Sequence, residues 1–126
     1  MYFRSNKYHA RKVTVDGIEF DSHKEANRYS ELKMLERAGK ISELNIQVPF
    51  ELVPNQREPD VIGARGGVKR GKVIEKSVVY YADFVYKDKD GNTVVEDTKS
   101  TITKTKEYVI KRKLMLYRYG LRIREV

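Results

Sequence analysis

The stretch Ser77–Lys87 constrains what this chain can fold into more than any other segment. Read as an extended strand, it sets Val79, Tyr81, Asp83 and Val85 on one face and Val78, Tyr80, Ala82, Phe84 and Tyr86 on the other. Apolar residues on both faces describe a central strand that needs cover on both sides. Asp83 is then a carboxylate in the middle of a buried strand. A charge taken out of water without a partner is costly, so a cation or a dense hydrogen-bond network is expected beside it.

Asp88–Lys89–Asp90–Gly91–Asn92 follows as a turn and Thr93–Lys99 as the next strand. Antiparallel pairing through that turn places Asp97 beside Asp83. Val95, Asp97 and Lys99 share one face by alternation. Two neighbouring carboxylates repel, and a divalent cation removes the repulsion while using the oxygens of both. Lys99, on the same side, is suited to hold a phosphate or activate a water. Glu96 faces the other way, although a one-residue bulge would give it the place of Asp97.

The remaining segments supply the cover. Lys12–Val15 and Ile18–Phe20 flank Asp16–Gly17 and read as a short N-terminal hairpin with a two-residue turn. Ser22 opens a helix: Ser22-x-x-Glu25 is a capping-box pattern, and Gly39 stands as its C-terminal stop. Residues 45–53 form a strand that Pro49 places near an edge or bulge. Residues 55–76 hold four of the eight glycines and six basic residues, and read as a mobile basic loop. A second helix runs from about Thr103 to Tyr119, directing Ile110, Leu114 and Tyr117 to the core and ending at Gly120; Leu121–Val126 is a last strand. After the hairpin the order is α-β-β-β-α-β. The expectation is one α/β domain over residues 1–126, with a central mixed sheet flanked by helices.

Composition narrows the chemistry. No apolar run approaches the roughly 20 residues of a membrane span, and the basic stretch Met1–Lys12 lacks the apolar segment of a secretory signal. The absence of cysteine excludes disulfides, thiolate metal sites and a cysteine nucleophile, and makes a cytoplasmic protein the expectation. With only His9 and His23 available, and His23 read as a first-turn surface residue, carboxylate oxygen would be the main metal donor. The net charge of +8 is unevenly placed: from Lys99 to Val126, nine Lys or Arg stand against Glu107 and Glu125. Such a block suits a phosphate backbone, DNA in particular, although a solvated helix face also explains it. Lys106 and Lys113, seven apart on one helix face, are candidate phosphate contacts, with Lys104 and Lys111 beside them and Arg65, Lys69 and Arg70 in the basic loop. Tyr2 and Tyr8, among Lys7, Arg11 and Lys12, could stack on unpaired bases. Tyr80, Tyr81, Tyr86, Tyr108, Tyr117 and Tyr119 sit at core-like spacing and read mostly as packing.

Asp83 on one strand with Asp97–Thr98–Lys99 on the next resembles the PD-(D/E)XK nuclease superfamily, whose core shares the α-β-β-β-α-β order. Ala82 stands where a proline gives that superfamily its name, and Ser100 where a glycine often follows the lysine. Phe20–Asp21–Ser22 before Glu25–Ala26 and Arg28–Tyr29, with Tyr81–Ala82–Asp83–Phe84 and Val95–Glu96–Asp97–Thr98–Lys99, is similar to a family of small phage-encoded domains within it. The resemblance covers nearly the whole chain. It implies a restriction-endonuclease-like core and a DNA endonuclease of recombination or DNA processing, acting on branched junctions or as a nicking or homing-type enzyme in a phage-infected or lysogenic host. It implies Mg²⁺, with Mn²⁺ able to substitute, held by Asp83, Asp97, Glu25 and the carbonyl of Thr98. Lys99 would then orient or deprotonate the attacking water. Glu25 is also explained as the partner of Ser22 in the capping box. Gln47 is expected near the first acid because a strand glutamine recurs there in related nucleases, a polar sheet-face residue being the other reading. A homodimer is expected by analogy alone. The rivals are a nucleic-acid-binding module that keeps the fold without cutting, and a phage-particle adaptor in which the two aspartates pair with lysines.

Overall fold

Asp16 and Gly17 both adopt positive φ, 53° and 75°, as a two-residue I′ turn requires. They join β1 (Val13–Val15) to β2 (Ile18–Phe20) as an antiparallel hairpin. The computed structural model describes residues 12–98 and 104–126; Tyr2, Lys7, Tyr8, Arg11, Lys99 and Ser100 lie outside the described residues. Helix α1 (His23–Arg37) starts where the capping pattern places it, with the Ser22 hydroxyl accepting from the Glu25 amide at 3.2 Å. Gly39, at φ 73°, follows its end. Helix α2 (Lys106–Tyr119) is capped by Thr105 and ends on Gly120 at φ 67°.

Strands β3 (Ser42–Val53), β8 (Val78–Lys87), β9 (Thr93–Asp97) and β10 (Ile123–Glu125) form one four-stranded sheet in the order β10-β9-β8-β3. The first pair is parallel and the other two are antiparallel, so the sheet is mixed. Pro49 lies on the edge strand, where a missing N–H costs no ladder bond to an outer neighbour. Two apolar clusters form among the described residues. Phe20, Ala26, Tyr29, Leu32, Phe84 and Tyr86 pack the hairpin and α1 against one end of the sheet. Leu52, Tyr80, Ala82, Val95, Tyr108 and Met115 pack α2 against the other. Among the described residues, no helix is long and apolar enough to cross a membrane.

Three expectations are corrected. The buried residues of α2 are Tyr108 and Met115, not Ile110 and Tyr117, which are 58% and 88% exposed. Lys106, Ile110, Lys113 and Tyr117 instead line its solvent side. The even-numbered residues of β8 from Tyr80 to Tyr86 are buried, whereas Tyr81, Asp83 and Val85 are not, so Asp83 sits on a half-open face and not in a strand sealed on both sides. Tyr81, Tyr117 and Tyr119 are likewise exposed and take no place in the core.

Residues 55–76 also carry strand structure. They fold as a ribbon in which β4 (Gln56–Arg57) pairs with β7 (Val73–Glu75), and β5 (Val61–Ile62) with β6 (Val68–Lys69). The Glu58 amide donates to the Lys72 carbonyl at 2.9 Å, and the Gly71 amide to Asp60 Oδ1 at 2.9 Å, joining the two ladders. Backbone passes so close at Gly71 that a Cβ there would lie 1.8 Å from the Glu58 carbonyl oxygen. The ribbon springs from the paired residues Val53 and Val78.

Candidate functional site

The β8–β9 ladder pairs Phe84 with Glu96, and Asp83 and Asp97, the residues next to this pair on the two strands, line one cleft. From Lys87↔Thr93 to Phe84↔Glu96 the register runs without a bulge. Glu96 therefore points away from Asp97, and it is fully buried. There it takes two bonds of 2.7 Å from the Arg28 guanidinium and one from the Tyr86 hydroxyl. It is a structural anchor between β9 and α1, and the bulged alternative is set aside.

Gln47, on β3, joins two acids from two other elements. Its Nε2 donates to Glu25 Oε1 at 3.2 Å and to Asp83 Oδ1 at 3.3 Å. It does so from a left-handed backbone, φ 48°, in the middle of β3. A residue with a Cβ resists that conformation by roughly 1–2 kcal/mol, and such strain persists only where the surrounding structure holds it. Asp83 Oδ2 accepts from both the amide (2.9 Å) and the hydroxyl (2.8 Å) of Thr98. Asp97 is 2% exposed, and its Oδ2 accepts from the Tyr80 hydroxyl at 2.5 Å. Burial and this bond hold the Tyr80 phenol well above its ordinary range.

Glu25 is buried at the start of α1. Its backbone amide serves the cap and its carboxylate serves the site. Burial, then the negative charges of Asp83 and Asp21 and more weakly Asp97, push its carboxyl up to about 7, against the opposing bond from Gln47. Asp83 and Asp97 open onto a cleft of about 250 Å³ whose walls include Tyr80, Tyr81, Thr105 and Lys111. Among the described residues, no three Asp, Glu or His side chains stand together as a ready-made metal cage.

The expected basic contacts divide. Lys111 reaches the cleft but pairs with Glu107 at 3.1 Å, and Lys104 pairs with Glu125 at 3.1 Å. Lys106 and Lys113 lie on the exposed side of α2, and Arg65, Lys69 and Arg70 on the exposed ribbon. Lys99, expected beside Asp97, is outside the described residues. Sequence reasoning missed Tyr80 and Arg28. Tyr80 reads as packing because its hydroxyl partner is 17 residues away, and nothing local marks Arg28 as the partner of Glu96, 68 residues on.

No curated protein and no solved structure matches the chain. A model of one protein family does, over residues 5–124, a span that takes in every residue of the site. The chain belongs to the family described as "Protein of unknown function (DUF1064)".

Proposed function

We propose that this protein is a divalent-metal-dependent DNA endonuclease centred on Glu25, Asp83 and Asp97. The observation that carries this reading is the strained Gln47, which joins the carboxylates of Glu25 on α1 and Asp83 on β8, with Asp97 of β9 lining the same cleft as Asp83. The donor set is oxygen without sulfur or histidine, which suits Mg²⁺ or Mn²⁺. Burial first, and repulsion by Asp83 after it, already raise the Glu25 carboxyl, and a cation would relieve the repulsion. Glu25, Asp83 and Asp97 would hold the ion with the Thr98 carbonyl, and once bound it supplies Lewis-acid chemistry toward a phosphodiester.

The chain's own groups do the rest. Tyr80 orients Asp97, and Thr98 with Gln47 orients Asp83. Lys99, two residues beyond Asp97, would orient or deprotonate the attacking water and offset charge on phosphorus. Lys106 and Lys113 would contact the DNA backbone. The element order α1-β3-β8-β9-α2-β10 supports the restriction-endonuclease-like core that the resemblance implies, and with it a role in phage recombination or DNA processing. One observation favours a second reading, a DNA-binding module that does not cut: both oxygens of Asp83 already accept protein hydrogen bonds.

Single-turnover cleavage beside a binding titration, in Mg²⁺ and in Ca²⁺, separates the two. Asp97→Ala is expected to abolish cleavage while keeping or tightening DNA binding, and Lys99→Ala to abolish cleavage while keeping metal binding. Wild-type cleavage rates in both variants would remove the active site from this cleft, whereas a wild-type chain that binds DNA without cutting it in Mg²⁺ would leave the binding module.

A further inference from the structure

Between Glu58 and Lys76 only Gly71 is buried. Val61, Ile62 and Val68 are 60%, 75% and 70% exposed. Ile62 pairs with Val68 and Val61 with Lys69, so cross-strand partners put apolar surface on both sides of the ribbon. Neither side has a core of its own. An isolated two-stranded hairpin is marginal in water, so a surface of this kind gains stability when something covers it.

Charge selects the cover. From Val61 to Lys72 stand Arg65, Lys69, Arg70 and Lys72, without one acid. A second copy of the ribbon would set like charge against like, whereas a polyanion complements it. Shape narrows the choice further. The major groove of B-DNA, about 12 Å wide, admits a two-stranded ribbon, and the minor groove, about 6 Å wide, does not. The seven residues from Gln56 to Ile62 reach roughly 23 Å when extended, well beyond a groove depth of about 8.5 Å. The tip can therefore touch base edges while the sheet and its acidic cleft stay outside.

We propose that this ribbon is a duplex-reading arm that lies in the major groove of double-stranded DNA beside the cleft. Arg65, Lys69 and Arg70 meet phosphates and base edges, and Val61, Ile62 and Val68 pack on thymine methyl groups. Resting on the DNA reading of the site, this names its substrate as duplex.

The test is equilibrium binding of the full chain, in Ca²⁺, to a duplex of about three helical turns and to one of its strands alone. A variant combining Arg65→Ala, Lys69→Ala and Arg70→Ala should lose about tenfold or more on the duplex and lower the salt slope by about two to three. A variant combining Val61→Ser, Ile62→Ser and Val68→Ser should lose several-fold on the duplex and keep the wild-type salt slope. Both should bind the single strand as wild type does. Replacing every thymine of the duplex by uracil should weaken the wild type and leave the serine variant unaffected. Unfolding midpoints equal to wild type would show that the sheet is intact in both. Unchanged duplex affinity in both variants overturns the arm while the nuclease reading stands. Equal losses on duplex and single strand overturn groove reading in favour of a general polyanion tether. A wild-type chain that binds neither form overturns the DNA reading and the arm together.

Discussion

A carboxyl with a pKa near 7 is protonated in about half of the molecules at neutral pH, and Glu25 is held there by burial and by its acidic neighbours. In the unfolded chain the same group titrates near 4.5. The folded protein binds the extra proton between those values, so Glu25's contribution to stability is full below pH 4.5 and is lost as pH rises toward 7. Glu25→Gln removes the penalty. In urea unfolding it should exceed wild type by about 1–2 kcal/mol at pH 8, a value discounted for solvent screening, and match it at pH 4. Mg²⁺ at pH 8 should raise the wild-type midpoint and leave the Gln variant where it was. An equal response in both would make Glu25 a structural group alone. The pattern Ser22-x-x-Glu25 made the cap legible, because a cap is chemistry between residues three apart. That the carboxylate instead turns to Gln47, 22 residues on, depends on where β3 passes, and no spacing encodes it.

Between elements, the tie that matters most runs from α1 to β9. Arg28 lies one turn beyond Glu25, and Glu96 adjoins Asp97, so the Arg28–Glu96 pair fixes two acids of the site from behind. Arg28→Ala would leave Glu96 buried without its guanidinium, an expected loss of about 3–5 kcal/mol in unfolding free energy. Arg28→Lys should recover only part, because an ammonium cannot make the two-pronged contact. The ribbon has its own weak point. Gly71→Ala would drive a methyl into the Glu58 carbonyl, and amide exchange at Glu58 and Gly63 should speed up while the global unfolding midpoint moves little. Helix ends were legible in Gly39 and Gly120, and so was the Asp16–Gly17 turn, because positive φ has a short list of residues that tolerate it. The phase of α2 was not. It carries apolar residues all round, Tyr108 and Met115 as well as Ile110 and Tyr117, so periodicity alone selects no face.

Over the whole molecule, the legible part was the order of the main elements, and the illegible part was the ribbon. Two- and three-residue strands among glycines offer too few side chains to show alternation, so turn composition dominates the signal. The placement of the acids followed from one hairpin, Asp88–Asn92, whose Asp88 side chain accepts from the amides of Asp90 and Asn92 and so holds the β8–β9 register. The pairing of Val53 with Val78 has a consequence for how this chain can be shortened. Everything between those two residues is an insert at the mouth of a hairpin whose ends are already adjacent. Closing it with a four-residue turn in place of the present 24-residue excursion should gain about 1.5 kcal/mol of closure entropy and leave the sheet unmoved. Calorimetry of such a deletion checks this, a midpoint below wild type being the contrary result. An insert with that freedom behaves as a cassette: its length can change while the sheet that carries Asp83 and Asp97 keeps its register.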